Sequence, residues 1–155
     1  MMTYLLENDV DGLSVVDMGT GTGILAILAA MRGAKSVVAV EIDKPAYDNA
    51  VDNVALNLGE RAGVVDVRHG DVSAIVDIKG ADVFLANINR NIITADIARY
   101  AASMRPGGEL TVSGFYVEDR PVVGAAARDA GLELKGVADI DNWSSMTFKL
   151  NTPTL

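Results

Sequence analysis

The residues best suited to chemistry are Asp17, Gly19, Gly21 and Gly23, which sit in VVDMGTGTGILA (residues 15–26) between two apolar runs. Glycine weakens regular structure, so three alternating glycines between core-forming segments mark a sharp turn or a close approach to a ligand. Two nucleotide cofactors compete for such a loop. A dinucleotide site reads G-x-G-x-x-G, with a helix N-terminus facing the pyrophosphate. Here the spacing is G-x-G-x-G, and Ile24 holds the third slot. Asp17 repels a pyrophosphate, whereas its carboxylate is able to accept hydrogen bonds from the amino group of a methionine. Glu41 ends a second apolar run, SVVAVE, and is placed to accept from both hydroxyls of a ribose. A carboxylate there serves either cofactor. The glycine spacing and Asp17 therefore favour S-adenosylmethionine over NAD. The plainer alternative is a tight strand-to-helix turn with Glu41 as a solvated strand end. The ordered set of strand, acid, glycines, helix, strand and acid speaks for the ligand.

Composition narrows the remaining chemistry. The 155-residue chain has no cysteine, which excludes disulfides, thiolate metal sites and a cysteine nucleophile. Its one histidine, His69, lacks partners for a metal site and reads as a surface residue at a strand end. Net charge is −8 and pI near 4.5, which disfavours a nucleic-acid surface and suits a basic protein partner. No apolar run near the glycines is long enough to span a bilayer, and no signal segment opens the chain. These features fit a cytoplasmic protein. Half of the residues are hydrophobic, enough for one domain with a proper core.

The elements that must hold the acids and glycines alternate along the chain. Strands are expected at residues 14–18, 36–41, 64–68, 81–86 and 109–113, with helices between them. Asp43 and Pro45 open one helix, whose inner face carries Ala46, Ala50, Val54 and Leu58. Another carries Ile93, Ile97, Tyr100, Ala101 and Met104 and is expected to stop at Pro106-Gly107-Gly108. A sixth strand is expected to put Leu132, Leu134, Ala138 and Ile140 on one face. The turn Asp141-Asn142 then leads to a strand with Met146, Phe148 and Leu150 on one side. Alternation implies a parallel sheet covered on both faces by crossovers, and the last short turn implies an antiparallel pair. This α/β doubly wound, seven-stranded sheet with an antiparallel terminal hairpin is the architecture of the class I methyltransferases. The glycine loop then lies beyond the carboxyl ends of the strands, where such sheets bind ligands. Asp71, in HGDV, falls where such enzymes hold the adenine amino group, and reads equally well as a turn residue.

Several blocks together, VVDMGTGTGILAILAA, VVAVEID, ANINRNI, MRPGGELTVSGF and the late Asp141-Asn142-Trp143, resemble the PrmA family, methyltransferases of a large-subunit ribosomal protein. The resemblance runs in order over essentially the whole chain. It implies methyl transfer from S-adenosylmethionine to lysine ε-amines and the N-terminal amine of that protein. It also implies that Asp17, Gly19, Gly21 and Gly23 hold the methionine end of the cofactor, and Glu41 the ribose. Asn87 matches the family's asparagine beside the transferring methyl; its plainer reading is a loop or cap residue, with Asn89 and Asn91 as rival caps. Trp143 is a family feature that reads as packing, and Arg90 and Arg105 read as solvated helix charges. Family members carry an upstream recognition domain and a glycine- and histidine-containing loop, whereas MMTYLLEN reads as the tail of a helix leading into the first strand. The expectation is a catalytic domain belonging to a longer protein, with the ribosomal substrate bound through the upstream part. Two alternatives remain: a cofactor-binding module without catalysis, or a small-molecule methyltransferase.

Overall fold

In the computed structural model, which describes residues 1–154, the glycine loop lies between β1 (Ser14–Met18) and α2 (Ile24–Met31), after a short α1 (Met2–Glu7). β2 (Ser36–Glu41) follows, then α3 (Lys44–Leu58), β3 (Val65–His69), β4 (Ala81–Asn87) and α4 (Arg90–Ser103). The chain ends with β5 (Met104–Tyr116), α5 (Arg120–Asp129), β6 (Leu132–Ile140) and β7 (Trp143–Leu150). The order across the single sheet is β3-β2-β1-β4-β5-β7-β6. β1 to β5 pair in parallel, while β7 runs antiparallel to both β5 and β6. The strand order reverses beside β1, so the loop after β1 and the end of β4 share the crevice at the switch point.

Local sequence accounts for most boundaries. Asp43 accepts a hydrogen bond from the Ala46 N–H at 3.0 Å and caps α3, and Pro45 occupies its first turn. Asn89 caps α4 in the same way, accepting from the Ile92 N–H at 3.0 Å. Two expectations are corrected. α4 stops at Ser103, and Met104 is already extended and paired with Ala81. The chain regains register with β4 only at Glu109, opposite Val83, so residues 105–108 form an irregularity within β5. Pro106 lacks an N–H to donate, and Gly107 has a φ of 80°, which fits both to such a break. In β6 only Leu132 is buried; Leu134 and Ile140 stand exposed. A register shift between Leu134 and Gly136 turns the side-chain alternation over, and β6 is the sheet's edge. The opposite pattern holds in β7, where Met146 and Phe148 are buried as expected.

The core is divided by the sheet. One face packs Phe84, Leu110, Val112, Phe115, Met146 and Phe148 against Ile93, Ile97 and Tyr100 of α4 and Val123 and Ala127 of α5. The other packs Val15, Val37, Val65, Val83 and Leu85 against Leu5 of α1, Leu25 to Ala30 of α2, and Val54 and Leu58 of α3. No helix of the described residues is long and apolar enough to cross a membrane.

Candidate functional site

The glycines of the loop have φ of 76°, 59° and 84° at Gly19, Gly21 and Gly23, a region that side chains other than glycine's rarely allow. A Cβ on Gly19 would also collide with the Ile88 side chain. The loop is thereby seated against the end of β4, next to Asn87. Its N–H groups turn inward. Gly19 and Thr20 both donate to the Val40 carbonyl at 2.9 Å, and Gly23 donates to Thr20 O at 2.9 Å. The Gly21 N–H donates to Glu41 Oε1 at 2.9 Å. The other oxygen of Glu41 accepts from the Asp43 N–H at 2.9 Å, so this carboxylate ties the loop to the start of α3.

Asp17 lies directly beneath, at 0% exposure. Its Oδ2 accepts from the Thr20 hydroxyl at 2.6 Å. Oδ1 has no partner among the described residues. Burial pushes its carboxyl up to about 6; the Thr20 hydrogen bond opposes the rise and the charge of Glu41 adds to it. An anion-binding loop presents free N–H groups outward. This loop instead spends three N–H donors on the end of β2 and one on itself, and it gathers two carboxylates, an arrangement that disfavours a pyrophosphate and suits a cationic or zwitterionic ligand.

Around the loop the remaining expected residues are more scattered. Asp71 lies two positions past β3 and accepts from the Ser73 N–H at 2.8 Å, capping a short 3-10 turn over Val72–Ile75. The Ser73 side chain first, and then that N–H, hold its carboxyl below the usual carboxylate range. The Nε2 of His69 lies 3.0 Å from the Ile42 carbonyl, and the ring rests 5.4 Å from that of Tyr47. Among the described residues, no group of three or more potential metal ligands comes together. Arg90 pairs with Asp119 at 3.1 Å. Arg105 is not a helix residue: it stands on β5 and pairs with Asp82.

Asn87 is the last residue of β4 and is exposed. It caps nothing, because Asn89 fills that role for α4. Its Oδ1 accepts from the Ser113 hydroxyl at 3.0 Å. Both line a cavity of about 820 Å³ that runs along β5, β7 and β6 beside α1, with Trp143 on its wall. Trp143 is half exposed and packs against Tyr116, ring centres 4.4 Å apart. Thr20 and Ser113 are the residues sequence reasoning missed. Thr20 stands inside the loop motif, three positions from the acid it covers. Ser113 lies in the block MRPGGELTVSGF that carries the resemblance, but its contact with Asn87 had no local signal, because only the pairing of β4 with β5 brings the two together.

Comparison with known proteins bears on the family and the fold. The sequence pattern of the family described as ribosomal protein L11 methyltransferase (PrmA) matches residues 2–151. The chain is 45% identical to the ribosomal protein L11 methyltransferase of Phocaeicola vulgatus over 148 residues, covering 96% of this chain and 52% of that one. It is 44% identical to that of Porphyromonas gingivalis, covering 99% and 52%. It thus spans about half the length of the curated relatives it matches. The crystal structure of a ribosomal protein L11 methylase from Lactobacillus delbrueckii subsp. bulgaricus superposes with a TM-score of 0.87 at 28% identity, covering 97% of this chain and 76% of that one. A Salinibacter ruber RNA methyltransferase solved with S-adenosyl-L-homocysteine has a TM-score of 0.75 at 20% identity, covering 99% and 92%, and shares the fold.

Proposed function

The chain belongs to the ribosomal protein L11 methyltransferase (PrmA) family, and from that premise we propose that it is the catalytic domain of an S-adenosylmethionine-dependent protein N-methyltransferase. Its acceptors are lysine and N-terminal amines of a large-subunit ribosomal protein. The observation that carries the cofactor reading is the inward-turned loop with two carboxylates at its base. When bound, S-adenosylmethionine supplies an electrophilic methyl group on a sulfonium. Glu41, 9% exposed, retains lone pairs for the ribose hydroxyls. Gly19, Gly21 and Gly23 give the methionine end a surface free of side chains. Asp17 adds a buried carboxyl beneath that surface, one oxygen of which accepts from the Thr20 hydroxyl. Asp71 is the candidate for the adenine amino group.

Asn87 faces the acceptor. Its amide oxygen has a second lone pair, which takes an N–H of the incoming amine and leaves the nitrogen lone pair free to point at the methyl. Acceleration from such alignment needs no strong acid or base. A lysine ordinarily titrates near 10.4, so the amine sheds a proton before it attacks. The exposed setting of Asn87 lets that proton leave to water.

The length of the relatives favours a second reading, a cofactor-binding module that needs the rest of a longer protein for acceptor recognition. Calorimetry with S-adenosylhomocysteine and with NAD tests the cofactor reading: tighter binding of NAD overturns it. Methyl transfer to the ribosomal protein, measured on the chain alone, then separates enzyme from module. We place the protein in the cytoplasm, where its proposed substrate is made, and expect no direct contact with nucleic acid.

A further inference from the structure

Ser113 and Asn87 are partners on the last rung of the β4–β5 pairing. Ser113 is tied to the end of β4 twice, once at Asn87 and once at Ile88. The Ser113 hydroxyl donates to Asn87 Oδ1 at 3.0 Å, and the Ser113 carbonyl accepts the N–H of Ile88 at 3.2 Å. The residue that follows makes this approach possible. Gly114 has a φ of 96°, and a Cβ there would come within 2.5 Å of the Ile88 carbonyl oxygen. β5 also changes register against β7 between Ser113 and Phe115, a bulge that returns Phe115 to the core face already occupied by Val112. The bulge leaves Ser113 beside the cavity, half-buried, with its hydroxyl on the amide.

We propose that Ser113 is a positioning residue for methyl transfer, acting through Asn87; the inference rests on the role given to Asn87 above. A terminal amide on an exposed side chain rotates broadly about its last torsion, because that torsion has no sharp staggered wells. Donation from Ser113 occupies one lone pair of Oδ1 and fixes the amide plane. The second lone pair then has a set direction toward the amine. Without the hydroxyl the amide still reaches the cavity but samples many orientations.

The expected result is that Ser113→Ala lowers kcat about tenfold, the scale of one neutral hydrogen bond, with KM and the affinity for S-adenosylhomocysteine unchanged. Ser113→Thr, which restores a hydroxyl, recovers most of the rate. In an Asn87→Ala background the serine substitution has no further effect, because the group it orients is gone. A purely structural role predicts a lower melting temperature and the same loss in both backgrounds, and that result overturns the proposal. The side-chain amide resonances of Asn87 in the 15N-labelled chain with S-adenosylhomocysteine give a readout independent of turnover. They are expected to shift or broaden in Ser113→Ala and to return in Ser113→Thr; unchanged resonances overturn the proposal. If Asn87→Ala itself leaves turnover at the parental rate, the role of Asn87 fails. If Asn87→Ala slows transfer and Ser113→Ala does not, only the role of Ser113 fails.

Discussion

The two faces of the sheet are built differently. On the face covered by α4 and α5, apolar packing extends from Val40 of β2 to Leu132 of β6 without a break. On the face covered by α1, α2 and α3, it runs from Val65 of β3 to Val83 and Leu85 of β4 and includes no residue of β5, β6 or β7. Beyond β4 the second face is floored by Thr111, Ser113, Ser145 and Thr147, with Glu109 held by Lys135 and by the Tyr4 hydroxyl at 2.7 Å. Asn87 stands at the border between the packed half and this open trough. The glycine loop needs rigid backing, since its glycines hold their φ only while neighbours constrain them. The acceptor proposed above would have to enter and leave, and the open half has the room for it.

Breaking the packed face has the largest expected effect. Phe84 is fully buried and stacks on Tyr100 with ring centres 4.6 Å apart. Phe84→Ala is expected to cost about 3–5 kcal/mol of stability in denaturant unfolding. A loss below about 1 kcal/mol would mean that this face is not a close-packed core.

At the glycine loop, Glu41→Ala removes the acceptor of the Gly21 and Asp43 N–H groups as well as the proposed ribose partner. Affinity for S-adenosylhomocysteine is expected to fall by about 1.5–3 kcal/mol, or one to two decades, by calorimetry. Unchanged affinity would reduce Glu41 to a loop tie.

Asp17 sharpens the comparison through pH. Its carboxyl is raised from 3.8 to about 6, so the folded chain holds this proton more tightly than the unfolded chain does. The contribution therefore favours folding below about pH 3.8 and is lost as pH rises through about 6. Relative to the parent, Asp17→Asn is expected to gain about 2–3 kcal/mol between pH 4 and pH 7. A difference that stays flat across this window would show that Asp17 titrates normally.

The smallest effect belongs to the open face. Lys135→Ala breaks a partly exposed ion pair with Glu109, which keeps its bond from Tyr4. A change below about 1 kcal/mol in thermal unfolding is expected. A larger loss would mean that the trough is stabilised by its charges after all.

Much of this arrangement is written locally. The strand at Ser14–Met18, the alternating glycines, the strand ending at Glu41 and the cap at Asp43 depend on neighbours a few positions away, so pattern and residue type determined them. The choice of Asn89 over Asn87 and Asn91 as the cap of α4, by contrast, came from the structure. The antiparallel ending was equally legible, since two residues between strands leave no room for a crossover. Only the tertiary structure decided the rest. Whether β6 buries one side depends on the register shift at Lys135, which exists only in its pairing with β7. The end of α4 was set when Met104 paired with Ala81, a contact across 23 residues that outweighed the helical spacing of Met104 with Tyr100 and Ala101. Asp17 carried its type in the sequence but not its burial. The contact of Ser113 with Asn87 spans 26 residues and exists because β5 lies beside β4 and bulges at Gly114. Periodicity reports which side of an element is apolar; which polar groups meet at its ends follows from how the elements are set side by side.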